Sequence, residues 1–490
     1  MHRLIITIMT STYFGKQGYT IYKECLAPSD LKFIRDSLTV APYIPKSPVQ
    51  PEAFPIYKEG HSKIYMPRYF GVEHFGVPDE IKISMGDDNT MKFNGTLRPY
   101  QVDVVDAFFK SIADGKGGGL LDIPCGFGKT AMGIYIACKL KKKCLVIVHK
   151  GFLLNQWIER IEEFAPNARI GKIQGQIIDI EDKDIVIGML QSLSMKDYPS
   201  TMFDSFGLTI VDECHHISSE VFSRSLTKIV TPYTLGLSAT MERKDGLTQV
   251  FKMFLGDIVY AMKRESEENV MVKAITYESN DAEFEEVTYD YRGNPQYSTM
   301  ITKLCDYNHR TEFILKVIKK EMDDYPKQQM MILGQNKSIL KYIYDAITHR
   351  KMFTVGYYVG GMKEADLNES ENKQVIVATY AMAAEGLDIK SLTSLMLVTP
   401  RTDITQAVGR ILRVKRERPL VIDIVDTHDL FKRQFKKRAT FYKKNNYTIL
   451  TTDSSKYMNN EWEEMKKRGK SKNKSSDVEI PQAGMCLLSI

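Results

Sequence analysis

Short apolar runs that alternate with helix-length amphipathic stretches most restrict how this chain can fold. A run that is apolar at nearly every position predicts a strand buried on both faces, and such strands separated by helices indicate a parallel sheet. One group of runs covers residues 145–148, 184–188 and 208–211, and a second group covers residues 330–333, 375–378, 395–398 and 420–425. We therefore predict an α/β fold with two tandem parallel-sheet domains.

Shifts in composition place the predicted domain boundaries. Residues 1–92 are rich in Tyr, Pro and Phe. Because proline at that density breaks helices, we expect strands and turns there, in a small β-rich or α+β accessory module. The apolar run at residues 4–9 is too short for a signal sequence and predicts a strand. We expect the first sheet domain over 93–262, an acidic connection with a strand or two over 263–300, the second sheet domain over 301–448 and a basic, flexible tail over 449–490.

Length and composition exclude several classes of protein. The chain has 490 residues, enough for two or three domains, with 43% hydrophobic and 26% charged residues. That balance excludes collagen-like, wholly disordered and disulfide-scaffold proteins. A net charge of +6 permits a nucleic-acid partner without proving one. The seven cysteines are scattered and form no C-x-x-C pair, and the sequence has no evident membrane span. We therefore expect an intracellular protein in a reducing compartment.

The sharpest local signal is a glycine-rich loop between an apolar strand and a helix. Gly126 and Gly128 allow backbone N–H groups to surround a phosphate at the helix N-terminus, Lys129 can reach the β- and γ-phosphates, and the Thr130 hydroxyl can bind Mg²⁺. The first glycine of the G-x-x-x-x-G-K-[ST] pattern is absent, since Ile123 stands there. The alternative is a plain glycine turn before a helix. The predicted phosphate-binding residues are Pro124, Cys125, Gly126, Phe127, Gly128, Lys129 and Thr130.

Two adjacent carboxylates follow another buried strand. Asp212 and Glu213 come directly after the run at 208–211, at the strand end where ligands bind in α/β sheets. Neighbouring carboxylates repel each other unless a cation lies nearby, so we expect Asp212 to hold Mg²⁺ through water and Glu213 to orient and deprotonate the attacking water. The alternative is a solvated strand end. The spacing of Cys214, His215 and His216 does not favour a zinc site. We expect His215 instead to be a polar relay between the nucleotide and the rest of the protein.

The segment Asp212-Glu213-Cys214-His215 is a DExH box, and with Ser238-Ala239-Thr240 it makes residues 96–448 resemble a superfamily 2 helicase. The chain most resembles the XPB-like branch, which includes homologues of large DNA viruses. Further motifs of the resemblance are Leu97-Arg98-Pro99-Tyr100-Gln101, the segment 378–388, and Gln406-Ala407-Val408-Gly409-Arg410-Ile411-Leu412-Arg413, which matches Q-x-x-G-R-x-x-R in full.

The resemblance implies two RecA-like domains that bind ATP and Mg²⁺ between them. By motif position, it assigns nucleotide contacts to Arg98, Gln101, Gly386 and Asp388, coupling to His215, Ser238 and Thr240, nucleic-acid contacts to Lys150, Gln191 and Thr379, and catalysis to Lys129, Asp212, Glu213, Gln406, Arg410 and Arg413. Arginines at i and i+3 share one helix face, so Arg410 and Arg413 can reach a γ-phosphate together. A solvated basic helix face is the alternative.

The resemblance implies an ATP-dependent helicase or translocase with a nucleic-acid partner, DNA favoured and RNA allowed, and with transcription or replication proteins as further partners. If viral, the protein would lie in the host cytoplasm or the virion. The alternatives are a remodeller that tracks duplex without separating strands, an inactive nucleic-acid-binding scaffold, and a metabolic P-loop kinase, which leaves residues 406–413 unexplained. Lys58, Lys63, Arg68 and Tyr69 could give the N-terminal module a DNA-binding role, and a merely supporting module is the equal alternative.

Overall fold

Two eight-stranded, almost entirely parallel sheets organise the chain. This computed structural model describes residues 11–44, 49–124, 126–199, 201–216, 220–239, 241, 245–262, 270–385, 389, 391–412 and 418–465, and only the backbone of His216, Phe222, Glu364, Ala384, Glu385 and Arg410. We call residues 11–92 the N-terminal module, 93–262 the first lobe and 270–465 the second lobe. In the described part of the chain, no helix combines the length and apolarity needed to cross a bilayer. The predicted α/β fold with two parallel sheets is confirmed.

The N-terminal module has a five-stranded sheet of order β5-β6-β2-β1-β7 and a separate β3–β4 pair. Its strands are β1 (Thr12–Gly15), β2 (Gly18–Tyr22), β3 (Thr39–Val40), β4 (Phe54–Pro55), β5 (Lys58–Glu59), β6 (Lys63–Met66) and β7 (Glu80–Ile81), and its helices are α1 (Pro28–Ser37) and α2 (Arg68–Phe75). The α+β form of the expected module is the one observed, since two helices accompany its strands and turns. Pro28 opens α1 and Pro67 precedes α2, positions where a missing N–H costs a helix nothing. The strand expected over residues 4–9 lies outside the described residues.

The first lobe alternates strands and helices as predicted. Its strands are β8 (Gly118–Asp122), β9 (Cys144–Val148), β10 (Ile170–Gln174), β11 (Ile177–Asp179), β12 (Ile185–Met189), β13 (Leu208–Asp212), β14 (Tyr233–Ser238) and β15 (Ile258–Ala261). Its helices are α3 (Pro99–Ala113), α4 (Lys129–Leu140), α5 (Gly151–Phe164), α6 (Leu190–Met195), α7 (Glu220–Leu226) and α8 (Thr248–Leu255). The strand order is β11-β10-β12-β9-β13-β14-β8-β15, and only β11 runs antiparallel. The carboxyl ends of β12, β9, β13, β14 and β8 therefore share one edge.

The second lobe repeats this arrangement. Its strands are β16 (Met271–Tyr277), β17 (Met330–Gly334), β18 (Val355–Tyr358), β19 (Val375–Thr379), β20 (Ser394–Leu397), β21 (Leu420–Asp426), β22 (Thr448–Asp453) and β23 (Glu463–Glu464). Its helices are α9 (Ala282–Glu285), α10 (Tyr297–Asp306), α11 (Asn308–Asp324), α12 (Lys337–His349), α13 (Glu364–Glu371), α14 (Tyr380–Glu385), α15 (Thr405–Ile411) and α16 (Asp429–Lys444). The order is β18-β19-β17-β20-β21-β16-β22-β23, and only β23 is antiparallel.

The second sheet extends beyond the predicted limits of 301 and 448. β16, which falls in the expected acidic connection, is an interior strand between β21 and β22. The acidic residues beside it masked its apolar pattern, although five of its seven residues are buried. Residues 449–465, expected in the flexible tail, include most of β22 and all of β23, while the basic run that follows lies outside the described residues.

The N-terminal module packs on the first lobe through one continuous apolar core. Side chains such as Tyr19 and Ile64 of the module cluster with Phe251 of the lobe. Arg68 donates from Nη1 to the carbonyl of Pro232 at 2.6 Å, and the Tyr69 hydroxyl lies 2.9 Å from Thr234 Oγ1. Arg68 and Tyr69 are therefore engaged with the lobe, which favours a supporting role for these two of the four residues suggested for DNA binding.

Candidate nucleotide-binding and catalytic site

The glycine loop connects β8 to α4 with the geometry that the sequence predicts. Gly126 and Gly128 have φ of +87° and +79°, in the left-handed region that residues other than glycine rarely adopt. Gly128 is the N-cap of α4, and Lys129 and Thr130 form its first turn. The first N–H groups of a helix have no partner within it, so this turn offers donors and a positive dipole end to an anion. Cys125 lies outside the described residues.

Ile123 replaces the first glycine of the pattern for a structural reason. Its backbone N–H donates to Ser238 O at 2.9 Å, which extends the pairing of β8 with β14 by one residue. Its side chain is fully buried in the core of the first lobe. The loop therefore begins one residue later, at the partly exposed Pro124.

Gln101 supports the loop from α3. Its Nε2 donates to Phe127 O at 3.1 Å, and its Oε1 accepts from the backbone N–H of Arg98 at 2.9 Å. The Tyr100 hydroxyl also donates to Phe127 O, at 3.3 Å. Sequence reasoning did not single out Tyr100. The contact between Gln101 and an adenine base stays a prediction, as does a nucleotide contact for the exposed Arg98.

The loop lysine meets the carboxylate pair across the sheet edge. Lys129 Nζ lies 3.2 Å from Glu213 Oε1, and their side chains are 10% and 20% exposed. Glu213 has φ of +48°, a strained conformation for a residue other than glycine, and such conformations cluster at functional sites. The structure thus brings together Lys129, Asp212 and Glu213, which the sequence predicted to act on one phosphate.

Asp212 is held by two donors, one on each carboxylate oxygen. Trp157 Nε1 donates to Oδ2 at 2.9 Å, and the backbone N–H of Glu213 donates to Oδ1 at 3.0 Å. Burial, followed by the charge of Glu213, raises the pKa of Asp212 to about 6, against the opposing effects of Lys129 and Trp157. Trp157 lies on the apolar face of α5 in the core of the first lobe, where its side chain is 1% exposed. Its contact with Asp212 was missed, since an indole on an apolar helix face gives no sign of a polar partner.

His215 connects the carboxylate pair to β14. Its Nδ1 lies 2.7 Å from Ser238 Oγ and 3.4 Å from Glu213 Oε2. β14 lies between β8, which leads into the glycine loop, and β13, which carries Asp212. Ser238, at the end of β14, therefore lies between the strand that leads into the glycine loop and the strand that carries Asp212. Thr240, the third residue of the predicted coupling set, lies outside the described residues.

The candidate nucleic-acid contacts of the first lobe lie at the same edge but beyond β13. Lys150 follows β9 and Gln191 follows β12, and these two strands are hydrogen-bonded neighbours. Gln191 is exposed, Lys150 is half-buried, and burial lowers the pKa of Lys150. One half of the edge thus carries the phosphate-site residues, and the other half carries an amide and an amine suited to a polymer backbone.

The second lobe places its predicted residues on two elements at its own carboxyl edge. Thr379 ends β19, and the partly exposed Gln406 lies on α15. Arg410 also belongs to α15, although its side chain is not among those described. Gly386, Asp388 and Arg413 lie outside the described residues. The roles of all these residues stay predictions.

Comparison with known proteins identifies the family. A family model described as "Type III restriction enzyme, res subunit" matches residues 94–243, which carry the glycine loop and the carboxylate pair. A protein of Acanthamoeba polyphaga mimivirus named "Putative ATP-dependent RNA helicase L396" is 39% identical over 453 residues, covering 89% of this chain and 86% of that protein. The chain belongs to the superfamily 2 helicases.

More distant relatives of this helicase also come from viruses. "Putative helicase 161L" of Invertebrate iridescent virus 6 is 26% identical, over 72% of this chain and 82% of that protein. "Probable helicase D10" of Escherichia phage T5 is 26% identical, over 68% and 73%. Among solved structures, T4 UvsW matches with 19% identity and a TM-score of 0.34, over 87% of this chain and 96% of that one.

Proposed function

We propose that this helicase hydrolyses ATP between its two lobes in order to move along or unwind a nucleic acid. The observation that carries the proposal is the Lys129–Glu213 contact of 3.2 Å beside Asp212, at the open edge of the first sheet. A lysine that can bind phosphate and a carboxylate that can activate water are the two groups that in-line phosphoryl transfer requires of one lobe. Membership of a helicase family supports the coupling of that reaction to a polymer.

ATP binding would exchange one partner of Lys129 for another. In the structure the ammonium group faces Glu213, and an incoming triphosphate offers a stronger anionic partner. Release of Lys129 frees Glu213 to orient water and accept its proton. The exchange therefore ties the presence of substrate to the availability of the base.

The donor set beside the loop suits Mg²⁺. Asp212 supplies a carboxylate and Thr130, in the first turn of α4, supplies a hydroxyl, and oxygen donors of this kind are the ligands that Mg²⁺ prefers. The raised pKa of Asp212 reflects a buried carboxylate with too little positive charge around it, which a divalent cation would supply. A divalent cation held there would supply positive charge to offset the β- and γ-phosphates of a bound nucleotide. Asp212 and Thr130 would hold the ion in place.

The second lobe would complete the site. We assign Arg410 and Arg413 to the γ-phosphate, where an arginine stabilises the charge that develops in phosphoryl transfer. Gln406 and the pair Gly386 and Asp388 would contact the nucleotide. Closure of the lobes around ATP and their relaxation after hydrolysis would convert the chemical step into movement.

Lys150, Gln191 and Thr379 are proposed to bind the phosphate backbone, which gives affinity without base preference. DNA stays the sequence-based preference, while two viral relatives are named as RNA helicases, so both polymers belong in any test. His215 and Ser238, 2.7 Å apart, would relay the state of the nucleotide half of the edge to the polymer half. A relay of this kind needs a contact that is either made or broken.

Finer assignments stay predictions. These are the XPB-like branch, an intracellular and reducing location, and transcription or replication partners. Free thiols at Cys25, Cys138, Cys144, Cys214 and Cys305 suit the predicted compartment. A duplex-tracking remodeller would share the whole site. An inactive scaffold is disfavoured because Lys129, Asp212 and Glu213 are all present and brought together.

The deciding experiment measures ATP hydrolysis by the full chain with no polymer, single-stranded DNA, duplex DNA, RNA and tailed hybrids. We expect at least one polymer to raise the rate, and Lys129→Ala to abolish hydrolysis with every polymer. The polymer that stimulates then enters a strand-displacement assay, where displacement indicates a helicase and its absence indicates a remodeller. If no polymer changes the rate of the wild-type protein, the proposal is wrong.

A further inference from the structure

Residues 398–401 form the segment that leads from β20 toward α15, the helix that carries Arg410. Each of their four successive backbone carbonyls accepts a hydrogen bond from a different side chain. The donors are Arg310 Nη2 to Val398 O at 2.9 Å, Tyr380 OH to Thr399 O at 2.7 Å, Tyr297 OH to Pro400 O at 3.0 Å and Arg438 Nη1 to Arg401 O at 2.7 Å. Connecting segments usually lie at the surface and satisfy their carbonyls with water. In this segment, by contrast, a side-chain hydrogen bond holds the backbone carbonyl of every residue.

The two arginine donors are themselves fixed. Arg310 binds Asp426 through Nε at 2.5 Å and Nη2 at 2.9 Å, and Arg438 binds both oxygens of Asp423 at 2.8 Å. All four side chains are almost completely buried, and both aspartates belong to β21. Bidentate pairs of this kind restrict orientation as well as distance. The first and last carbonyls of the segment are therefore tied to the centre of the second sheet.

Tyr380 differs from the other donors in where it comes from. It follows Thr379, the residue proposed to contact the polymer, and it begins α14. Its side chain is 3% exposed, and burial raises the pKa of its hydroxyl, so the group keeps its proton and donates to Thr399 O. The Arg401 guanidinium carbon also lies 5.1 Å from the centre of the Tyr380 ring. One side chain thus joins the end of β19 to the segment before α15.

We infer that Tyr380 transmits polymer binding at Thr379 to α15 and so positions Arg410 for catalysis. A displacement of the start of α14 reaches Thr399 through one short hydrogen bond. Because Val398 O and Arg401 O are anchored to β21 through Arg310 and Arg438, the segment cannot follow Tyr380 freely, so a change at Thr379 acts on the Thr399 hydrogen bond and through it on the path of the chain into α15. Tyr380 is a positioning residue, since it acts through α15. The inference rests on the proposed function and adds a route by which polymer would stimulate hydrolysis.

Tyr297 provides a matched control. Its hydroxyl lies 3.0 Å from Pro400 O, the next carbonyl of the same segment, and 3.1 Å from Gln335 Oε1, and the residue comes from α10, to which the sequence assigns no polymer contact. Replacing either tyrosine with phenylalanine removes one hydroxyl donor from the segment and leaves the ring. The two variants differ in whether the lost bond leads to Thr379.

The experiment compares the ratio of polymer-stimulated to basal ATP hydrolysis in the wild-type chain, Tyr380→Phe and Tyr297→Phe. Allosteric couplings are commonly worth a factor of 5 or more, so we expect the ratio to fall at least about fivefold in Tyr380→Phe and less than about twofold in Tyr297→Phe. A wild-type ratio in Tyr380→Phe, or an equal loss in both variants, overturns the inference while the proposed function stands. A wild-type protein that no polymer stimulates overturns both.

Amide hydrogen exchange of the wild-type chain gives a readout that does not need a stable variant. We expect polymer, added without nucleotide, to change the exchange rates of residues 394–411 by at least about fivefold, because local opening free energies respond to coupled ligands. If Tyr380→Phe folds, this response should vanish while exchange elsewhere in the second lobe is retained. If polymer leaves the amide exchange rates of residues 394–411 unchanged in the wild-type chain, the inference is wrong.

Discussion

Replacement of Trp157 with phenylalanine isolates the group that holds Asp212. The indole N–H is 2.9 Å from Asp212 Oδ2, and the pair is buried between α5 and β13. The tip of the ring packs on α4, since a Cβ added at Gly133 would lie 3.0 Å from it. Phenylalanine keeps an aromatic ring in this space but donates no hydrogen bond. Asp212 would then keep the hydrogen bond from the backbone N–H of Glu213.

The size of the effect follows from the charge on the acceptor. A hydrogen bond to an ionised group contributes about 1.5–3 kcal/mol. With tenfold for each 1.4 kcal/mol, we expect kcat/KM for ATP to fall about 10- to 100-fold, with a higher Mg²⁺ requirement. The bond also lowers the pKa of Asp212, which stands at about 6 because burial and Glu213 oppose the ionised form. Losing the bond raises that pKa further, so the loss of activity should be larger at pH 6 than at pH 8.5.

The assay is steady-state hydrolysis over a range of Mg²⁺ and ATP concentrations at the two pH values. Ile161→Val is the control, because Ile161 is a fully buried neighbour on α5 whose shortening removes packing volume alone. That change costs about 0.5–1.5 kcal/mol of stability and should leave kcat/KM and its pH dependence unchanged. Wild-type kinetics in Trp157→Phe at both pH values would refute the view that the indole holds Asp212 for catalysis.

Three further variants test the loop and the module. Gly128→Ala should abolish binding of a fluorescent ATP analogue, because φ is +79° and the new Cβ would lie 2.5 Å from Gln101 Nε2; retained binding would contradict this. Ile123→Gly, which restores the missing glycine of the pattern, should lower stability by about 3–5 kcal/mol through a buried cavity, seen as a lower melting temperature, and should not improve hydrolysis. Arg68→Ala removes the bond from the module to Pro232 O, so proteolysis between module and lobe should accelerate; an unchanged cleavage rate would show that this bond does not hold the module.

The sequence predicts strands well where apolar residues run without interruption. The runs at 145–148 and 330–333 become β9 and β17, because a strand buried on both faces needs no polar position. β16 was read only as a possible strand of the connection, since acidic residues on both sides of it dominate the composition there. The positions of the two helices in the N-terminal module were not predicted, because proline was taken to break helices, whereas Pro28 lies at the start of α1.

The candidate site, like the fold, could be predicted from the sequence only in part. Lys129 and Glu213 could be expected to meet because parallel strands end at one edge, and they do meet. The contact of Trp157 with Asp212 could not be expected, since its helix face has the pattern of a core element. The donors to residues 398–401 come from α10, α11, α14 and α16, which are remote in sequence, so only the folded lobe brings them together.

The central claim is that ATP is cleaved between the two lobes. The most direct test measures two properties of the Arg410→Ala variant, its rate of ATP hydrolysis and its affinity for ATP. An arginine that stabilises the transition state contributes about 10³–10⁵ to kcat, so we expect that loss with nearly unchanged binding, since Lys129 and the glycine loop hold the nucleotide. Binding is measured with a fluorescent ATP analogue, and hydrolysis with the polymer that stimulates the wild-type chain best. Wild-type hydrolysis by Arg410→Ala would contradict the mechanism, because the first lobe would then cleave ATP alone.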